Sequence, residues 1–514
     1  MRSIIDSRTS RRDFLSRTLE GSFALGGGLA FLSALPSVSA DEAKISPSLV
    51  KLDDGIEPTV RLLEETPRER VLEEVAGRIR NKALSYREVL TALLLAGVRN
   101  VQPRPQVGFK FHAVLVVNSA HLASLASGNS DRWLPIFWAI DRFKASQLET
   151  QKESGWRMGA VDESKVPTSE KARQAFIDAM EHWDEAAADT AAAGLARFCG
   201  RNECFELFAR FGARDFRDIG HKAIFVSNSF RLLECVGWHN AEPVLRSLAY
   251  ALLQHEGGNP AQGDAAPDRP WRRNVELVKK IKPAWQDGKA SERAAADLLS
   301  TLRTASDQQA CETVVDALNG GLSPQSVWDA LLSGSCELLM RKTGIVSLHS
   351  VTSSNALHFA HNVSAENETR LMLLLQNAAF VPLFRQAAGI ADKPGAVRVD
   401  QFEAAAHPAA DAKDALADIF ASAGKDRISA AKKALAYLDG GQSADDLMHA
   451  ARRLVFLKGN DAHDYKFSSA VLEDYRQLSP KIRNRYLAAA MFYFPGTSTP
   501  DNALTARTRA AIGA

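Results

Sequence analysis

The sequence has few cysteines and no excess of either charge. Its 514 residues include five cysteines, and 63 Lys and Arg residues against 61 Asp and Glu residues leave a formal net charge of +2. Five cysteines are too few for a disulfide scaffold. A near-neutral chain offers no basic surface for nucleic acid, so we expect no nucleic-acid partner. The hydrophobic fraction of 46% and the charged fraction of 24% are ordinary globular values, which exclude a disordered chain.

Several short motifs that mark familiar enzyme classes are absent as well. After residue 40 the chain contains no GxGxxG, no GxxxxGK[ST], no GxSxG, no HExxH and no CxxC. Built-in dinucleotide binding, P-loop chemistry, a serine-hydrolase elbow and a zinc-protease helix are therefore excluded. Any chemistry has to come from residues that the fold brings together.

The N-terminus carries a pattern typical of export. Ser10-Arg11-Arg12-Asp13-Phe14-Leu15 resembles the twin-arginine motif, and a weakly apolar stretch from Gly21 to Leu35 leads to a small-residue cleavage site at Val38-Ser39-Ala40. The resemblance implies a cleaved signal peptide, the twin-arginine translocase as a transient partner, and a periplasmic or otherwise exported protein. That route carries folded proteins, often with a cofactor already acquired. The alternative is a membrane anchor, but the stretch is shorter than the ~20 residues that a bilayer requires, so we expect no stable membrane insertion.

The rest of the chain has helical periodicity. Apolar residues recur at helical spacing in runs such as Val71-Leu72-Val75-Ile79, and alternating strand patterns are scarce. We expect an all-α fold with at least ~60% helix, about twice the globular average. Gly and Pro cluster after residue 256, which predicts a loop or linker. The expected organisation is a signal over 1–40, a first helical half over 41–255, a linker over 256–272 and a second helical half over 273–514.

A long-period repeat supports this division. Residues 83–94 match residues 321–332, and further along residues 112–123 match residues 349–360 with the register kept to within one residue. The shared positions are His112, Asn118 and His121 in the first copy and His349, Asn355 and His358 in the second. Two aligned histidine pairs are a rare coincidence in a chain with 12 histidines, so internal duplication is the better explanation.

Two weaker copies follow the same pattern around His221 and His463. Each has a small polar residue six positions after the histidine, as the two stronger copies do. Each unit would contain an outer helix, a loop, a histidine-bearing helix and a further amphipathic helix. Helices paired in this way stack into a helical-repeat solenoid or a closed toroid. Positions 0 and +7 of a helix share a face and +6 lies beside it, so the four histidines are predicted to face one interior.

Convergent imidazoles suit two kinds of chemistry. His112, His221, His349 and His463 are the candidate catalytic residues, and a transition metal bound by the same four is a hypothesis. We expect a small-molecule ligand or substrate to contact Asn118, His121, Asn228, Asn355 and His358. Asp218 and Asp461 precede two of the histidines closely enough to fix a tautomer. The alternative is that each histidine only satisfies its own helix junction through a backbone carbonyl.

Two segments resemble the questin oxidase-like family. They are Gly220-His221-Lys222-Ala223-Ile224, with the following Glu242-Pro243-Val244-Leu245 helix, and Asp461-Ala462-His463-Asp464-Tyr465-Lys466. The family consists of helical proteins that open anthraquinone rings oxidatively. The resemblance implies an oxidoreductase that acts on a small organic substrate in an interior cavity. The alternative from another class is a non-catalytic helical-repeat protein that holds a partner or ligand on its concave face.

Overall fold

Helices make up 72% of the chain in the computed structural model, and the described residues contain no strand. The all-α prediction is therefore confirmed. The structure describes residues 49–50, 52–53, 55–103, 112–129, 131–253, 258–391, 393, 396–406 and 411–512. The predicted export signal over 1–40 lies outside them. No helix in these ranges is both long and apolar enough to span a bilayer.

The described ranges contain 22 α-helices. In chain order they are α1 Glu57–Glu65, α2 Val71–Arg80, α3 Tyr86–Asn100, α4 His112–Leu125, α5 Leu134–Glu153, α6 Ser169–His182, α7 Glu185–Phe198, α8 Arg201–Gly212, α9 His221–Val236, α10 Ala241–Leu253, α11 Arg269–Val278, α12 Glu292–Leu302, α13 Asp307–Asn319, α14 Pro324–Arg341, α15 Ile345–Val363, α16 Asn367–Ala387, α17 Ala412–Ser422, α18 Arg427–Asp439, α19 Ala444–Lys458, α20 Ala462–Gln477, α21 Pro480–Ala489 and α22 Ala503–Ile512.

Four helices form an inner ring within the unit Val50–Ala514. Helix α4 packs against α9 and α20, and α15 packs against the same two helices, so the order α4–α9–α15–α20 closes on itself. Of the 65 residues in these four helices, 52 are buried. A helix that is buried on all sides shows no polar stripe, which is why these segments lack the amphipathic pattern of a surface helix.

Each inner helix is packed by its two sequence neighbours. Helices α3 and α5 contact α4, α8 and α10 contact α9, α14 and α16 contact α15, and α19 and α21 contact α20. These four triplets have the helix order of the predicted repeating unit, namely an outer helix, a histidine-bearing helix and a further helix. The division into halves at 255 and 273 and the solenoid or toroid arrangement stay predictions.

The outer helices of the two strongest copies start in the same way. Ser85 is the N-cap of α3 and accepts a hydrogen bond from the Glu88 N–H, and Ser323 is the N-cap of α14 and accepts one from the Ser326 N–H. A serine at this position satisfies a backbone N–H that the first turn leaves unpaired. The matched serines therefore begin equivalent helices in segments that are more than 200 residues apart.

Candidate metal centre

The four predicted histidines meet at one end of the inner ring. Each is at most 6% exposed. His221 lies at the centre, because its Nε2 is 2.8 Å from Nε2 of His112 and 2.9 Å from Nε2 of His349. With His463 included, one ring nitrogen from each side chain lies within 4.8 Å of all the others. We call this set the four-histidine centre.

The inner helices run in one direction from this centre. Two turns beyond the histidines, Ser227 Oγ of α9 donates to the Ala356 carbonyl of α15 at 2.9 Å, and Ser469 Oγ of α20 donates to the Ser119 carbonyl of α4 at 3.3 Å. All four residues stand six or seven positions after the histidine of their own helix. Because equal offsets meet on neighbouring helices, the four helices are parallel and in register.

Backbone carbonyls orient two of the rings. Nδ1 of His221 donates to the Asp218 carbonyl at 2.6 Å, and Nδ1 of His349 donates to the Ile345 carbonyl at 2.7 Å. A carbonyl oxygen only accepts, so both Nδ1 atoms carry the proton and both neutral rings turn an Nε2 lone pair inward. The prediction that Asp218 fixes a tautomer holds through its backbone and not through its carboxylate.

A carboxylate orients the third ring. Nδ1 of His463 donates to Asp461 Oδ1 at 2.6 Å, and the same oxygen accepts the backbone N–H of His463 at 3.0 Å as the N-cap of α20. Burial alone would raise the pKa of Asp461, but these hydrogen bonds lower it to about 2. Asp461 is therefore a carboxylate, and a carboxylate behind an imidazole is the usual outer partner of a metal-bound histidine.

The loop before His221 has an unusual backbone. Asp218, Ile219 and Gly220 are consecutive residues with φ values of 55°, 47° and 78°. The left-handed region is unfavourable for a β-branched residue such as Ile219. A Cβ added at Gly220 would lie 2.3 Å from Ser353 Oγ, so only glycine fits there. This backbone turns the Asp218 carbonyl toward His221, which links the local strain to the orientation of the central ring.

These tautomers place no proton between the Nε2 atoms of His221 and His349. His221 and His349 both use their only ring proton on a backbone carbonyl, yet their Nε2 atoms are 2.9 Å apart. Two lone pairs at that distance repel each other unless a cation lies close to both. The Nε2 of His112 can supply a proton to His221, but it does not relieve the contact between His221 and His349.

A proton is one cation that could relieve the contact between His221 and His349, but burial of the rings disfavours their protonation. Burial lowers the pKa of His112, His221 and His349 well below the ordinary imidazole range. Charged neighbours lower it further, chiefly Lys466 for His112 and His221, and His221 followed by Lys466 for His349. The rings are therefore neutral at physiological pH, and a neutral imidazole is the form that binds a metal ion.

Lys466 adjoins the centre; the sequence analysis names it in the segment around His463 but assigns it no role at the site. Its Nζ is 3.5 Å from Nε2 of His349, and the residue is 2% exposed. Burial lowers the pKa of Lys466 to about 7. The signal was available, because Lys466 stands one turn after His463 and therefore on the same face of the helix.

Three of the predicted ligand-contacting residues form a second polar layer beyond the histidines. Asn118 Nδ2 donates to Asn228 Oδ1 at 3.4 Å. Arg231 donates to Asn228 Oδ1 at 3.2 Å and to Asn355 Oδ1 at 3.4 Å. The three asparagines thus lie together on the bundle axis, and Arg231 links two of them. They do not touch the histidine rings.

The other two predicted ligand-contacting residues lie elsewhere. His121 Nδ1 is 2.9 Å from the Tyr86 hydroxyl, and His358 packs on the Trp328 ring with centroids 4.6 Å apart. Each follows the centre's histidine on its own helix by nine residues, a rise of ~13 Å. The nine-residue spacing repeats between the copies, but it does not bring these two histidines into the centre.

Comparisons of this chain with protein-family models, with curated proteins and with solved structures found no match.

Proposed function

We propose that this chain is an exported metalloprotein, in which the four-histidine centre binds one transition-metal ion and performs oxidation–reduction chemistry on a small molecule. The observation that carries the proposal is the 2.9 Å contact between the unprotonated Nε2 atoms of His221 and His349. A metal ion bound by both nitrogens turns that repulsion into two favourable bonds. The remaining two rings reach the same ion after a small rotation of the side chains, because the donor nitrogens lie within 4.8 Å of one another and two nitrogens bound to one ion are at most ~4.2 Å apart.

The donor set narrows the choice of metal. It consists of imidazoles alone, which suit Zn, Cu, Fe and Ni, whereas Mg and Ca prefer carboxylate and carbonyl oxygens. Four neutral ligands leave the full charge of the ion in a buried place. The Asp461 carboxylate supplies one compensating negative charge through His463. Iron and copper accept more than four ligands, and they would leave a position for a further molecule.

Two sequence features support a redox role. The resemblance to the questin oxidase-like family rests on segments around His221 and His463, and both residues belong to the centre. The twin-arginine pattern favours a protein that is exported already folded, which suits an ion enclosed by buried side chains. Oxidation of a small organic molecule is the activity that this resemblance implies.

Metal content tests the proposal directly. The protein is purified after native export, and its metal is measured by mass spectrometry for wild type, His112→Ala and His349→Ala. The matched controls are His121→Ala and His358→Ala, which remove a buried histidine from the same two helices without touching the centre. We expect about one ion per wild-type chain, at least a tenfold loss in the two centre variants, and no loss in the controls. Equal metal content in all five proteins, or none in wild type, would contradict the proposal.

A structural metal is the second candidate, and it would suit the non-catalytic binding protein. The observation that favours it is the number of protein ligands, because four donors close the tetrahedral shell of zinc. Paramagnetic resonance and voltammetry separate the two candidates. A centre that cycles between two oxidation states supports the redox role. Bound zinc with no redox response supports a structural metal and contradicts an oxidoreductase.

A further inference from the structure

A small cavity lies on the axis of the inner ring beyond the four-histidine centre. Its lining comes from all four inner helices, at positions three to ten residues after each histidine. Its volume of about 10 Å³ is the room of a single water molecule. We call it the axial cavity.

Two polar residues and one apolar residue, Ile224, line the cavity where it approaches the centre. Thr352 and Lys466 line it, and each stands three residues after the histidine of its own helix. The Thr352 hydroxyl is buried, and it has no hydrogen-bond partner within the described part of the chain. A buried hydroxyl without a partner is a donor and acceptor ready for a small polar guest. Lys466 Nζ connects the cavity to the centre through its 3.5 Å contact with His349.

The far end of the cavity reaches solvent. Arg231 and Glu473 line it there, ten residues after His221 and His463, and they form an ion pair with each other. The Glu473 side chain is 33% exposed, whereas that of Arg231 is 9% exposed. From Lys466 to Glu473 the helix rises by ~10 Å. The residues that line the cavity thus extend from Glu473, which reaches solvent, to Lys466, which contacts His349.

We infer that the axial cavity marks the route by which a hydrogen-bonding ligand no wider than a water molecule, such as water, hydroxide or the linear azide ion, reaches the metal, and that it excludes molecules as wide as an organic ring. The inference rests on the proposed metal centre and specifies the size of its exogenous ligand. Lys466 and Thr352 would donate hydrogen bonds to the incoming molecule beside the metal.

The test uses Co(II)-loaded protein and follows azide binding by the change in the visible spectrum. Ala356→Val places two methyl groups in the axial cavity. Ala360→Val is the matched control, because Ala360 is a buried alanine one turn further along α15 that does not line the cavity. We expect the azide on-rate to fall at least tenfold in Ala356→Val and less than twofold in Ala360→Val, with equal cobalt content. Imidazole, a ring of five atoms, should leave the wild-type spectrum unchanged.

The outcomes separate the two proposals. If wild type retains no cobalt, the proposed metal centre is contradicted, and so is this inference, which depends on it. Two results with cobalt retained would contradict the route but not the metal centre. One is that Ala356→Val binds azide as fast as wild type, and the other is that imidazole binds as readily as azide. Should Ala356→Val fail to fold, Ser469→Val blocks the same cavity from α20 and has the same expected result.

Discussion

At the scale of single residues, Asp461 combines two tasks that one substitution can separate. It caps α20 and it holds the Nδ1 proton of His463. Asparagine is as good an N-cap as aspartate but carries no charge. We therefore expect Asp461→Asn to lower metal affinity by ~10–100-fold while the free energy of unfolding of the metal-free protein changes by less than about 1 kcal/mol. Competition with a chelator measures the affinity.

The control for this substitution is Asp426→Asn, which changes another capping aspartate, at the start of α18. It should leave the metal affinity unchanged. An Asp461→Asn protein that binds metal as tightly as wild type would show that the carboxylate does not support the ligand.

Asp474 predicts a pH dependence of stability. It is fully buried, and burial raises its pKa to about 7 although Asn355 and Tyr486 donate hydrogen bonds to it at 2.8 and 2.6 Å. The folded state then binds a proton more tightly than the unfolded chain, whose aspartate pKa is ~3.9. This contribution is complete below pH ~4 and is lost as the pH rises to about 7, at roughly 1 kcal/mol per pH unit.

Asp474→Asn keeps the shape of the side chain and cannot ionise, so the difference in unfolding free energy between variant and wild type should grow in favour of the variant from pH 4 to pH 7. Denaturant titrations of the metal-free protein measure it. The exposed Asp297→Asn is the control, and its difference from wild type should stay constant with pH. A constant difference for Asp474→Asn as well would mean that Asp474 is ionised throughout this range.

At the scale of elements, the sequence identified the helices that carry the site but not how their side chains meet. The period in the sequence placed His112 and His349 at equivalent points, and the structure brings them into one layer. His121 and His358 also share an offset but lie outside the centre, because a shared offset determines a position along the helix and not which neighbour the side chain contacts.

The loop before α9 shows a second limit of sequence analysis. The sequence places Asp218 three residues before His221, which suggested a carboxylate partner for the ring. Three successive left-handed residues instead turn the Asp218 carbonyl toward Nδ1. Glycine adopts positive φ freely and aspartate tolerates it, but a β-branched residue such as Ile219 does not. The sequence therefore does not indicate three such residues in a row. Contacts with Ser353 and the inner ring determine this conformation, and they belong to the tertiary structure.

At the scale of the whole molecule, the centre joins parts of the chain that are far apart in sequence. His112 and His221 precede the Gly- and Pro-rich segment after residue 256, whereas His349 and His463 follow it. An ion bound by all four therefore ties together the four inner helices and everything packed on them. The unfolded chain holds no such arrangement of ligands, so the binding free energy adds to folding stability.

We therefore expect removal of the metal to lower the melting temperature, and restored metal at about 1,000 times its dissociation constant to stabilise the fold by ~4 kcal/mol. Hydrogen exchange should locate the effect at the N-terminal ends of α4, α9, α15 and α20, where the ligands lie. His221→Ala is the control, since it removes the central ligand and should make the melting temperature independent of metal and chelator alike. A wild-type protein that melts at one temperature with saturating metal and without it would show that the centre does not bind an ion in the folded state. In that case a proton would have to relieve the contact between Nε2 of His221 and Nε2 of His349, and the melting temperature would respond to pH below the ordinary imidazole range instead of to metal.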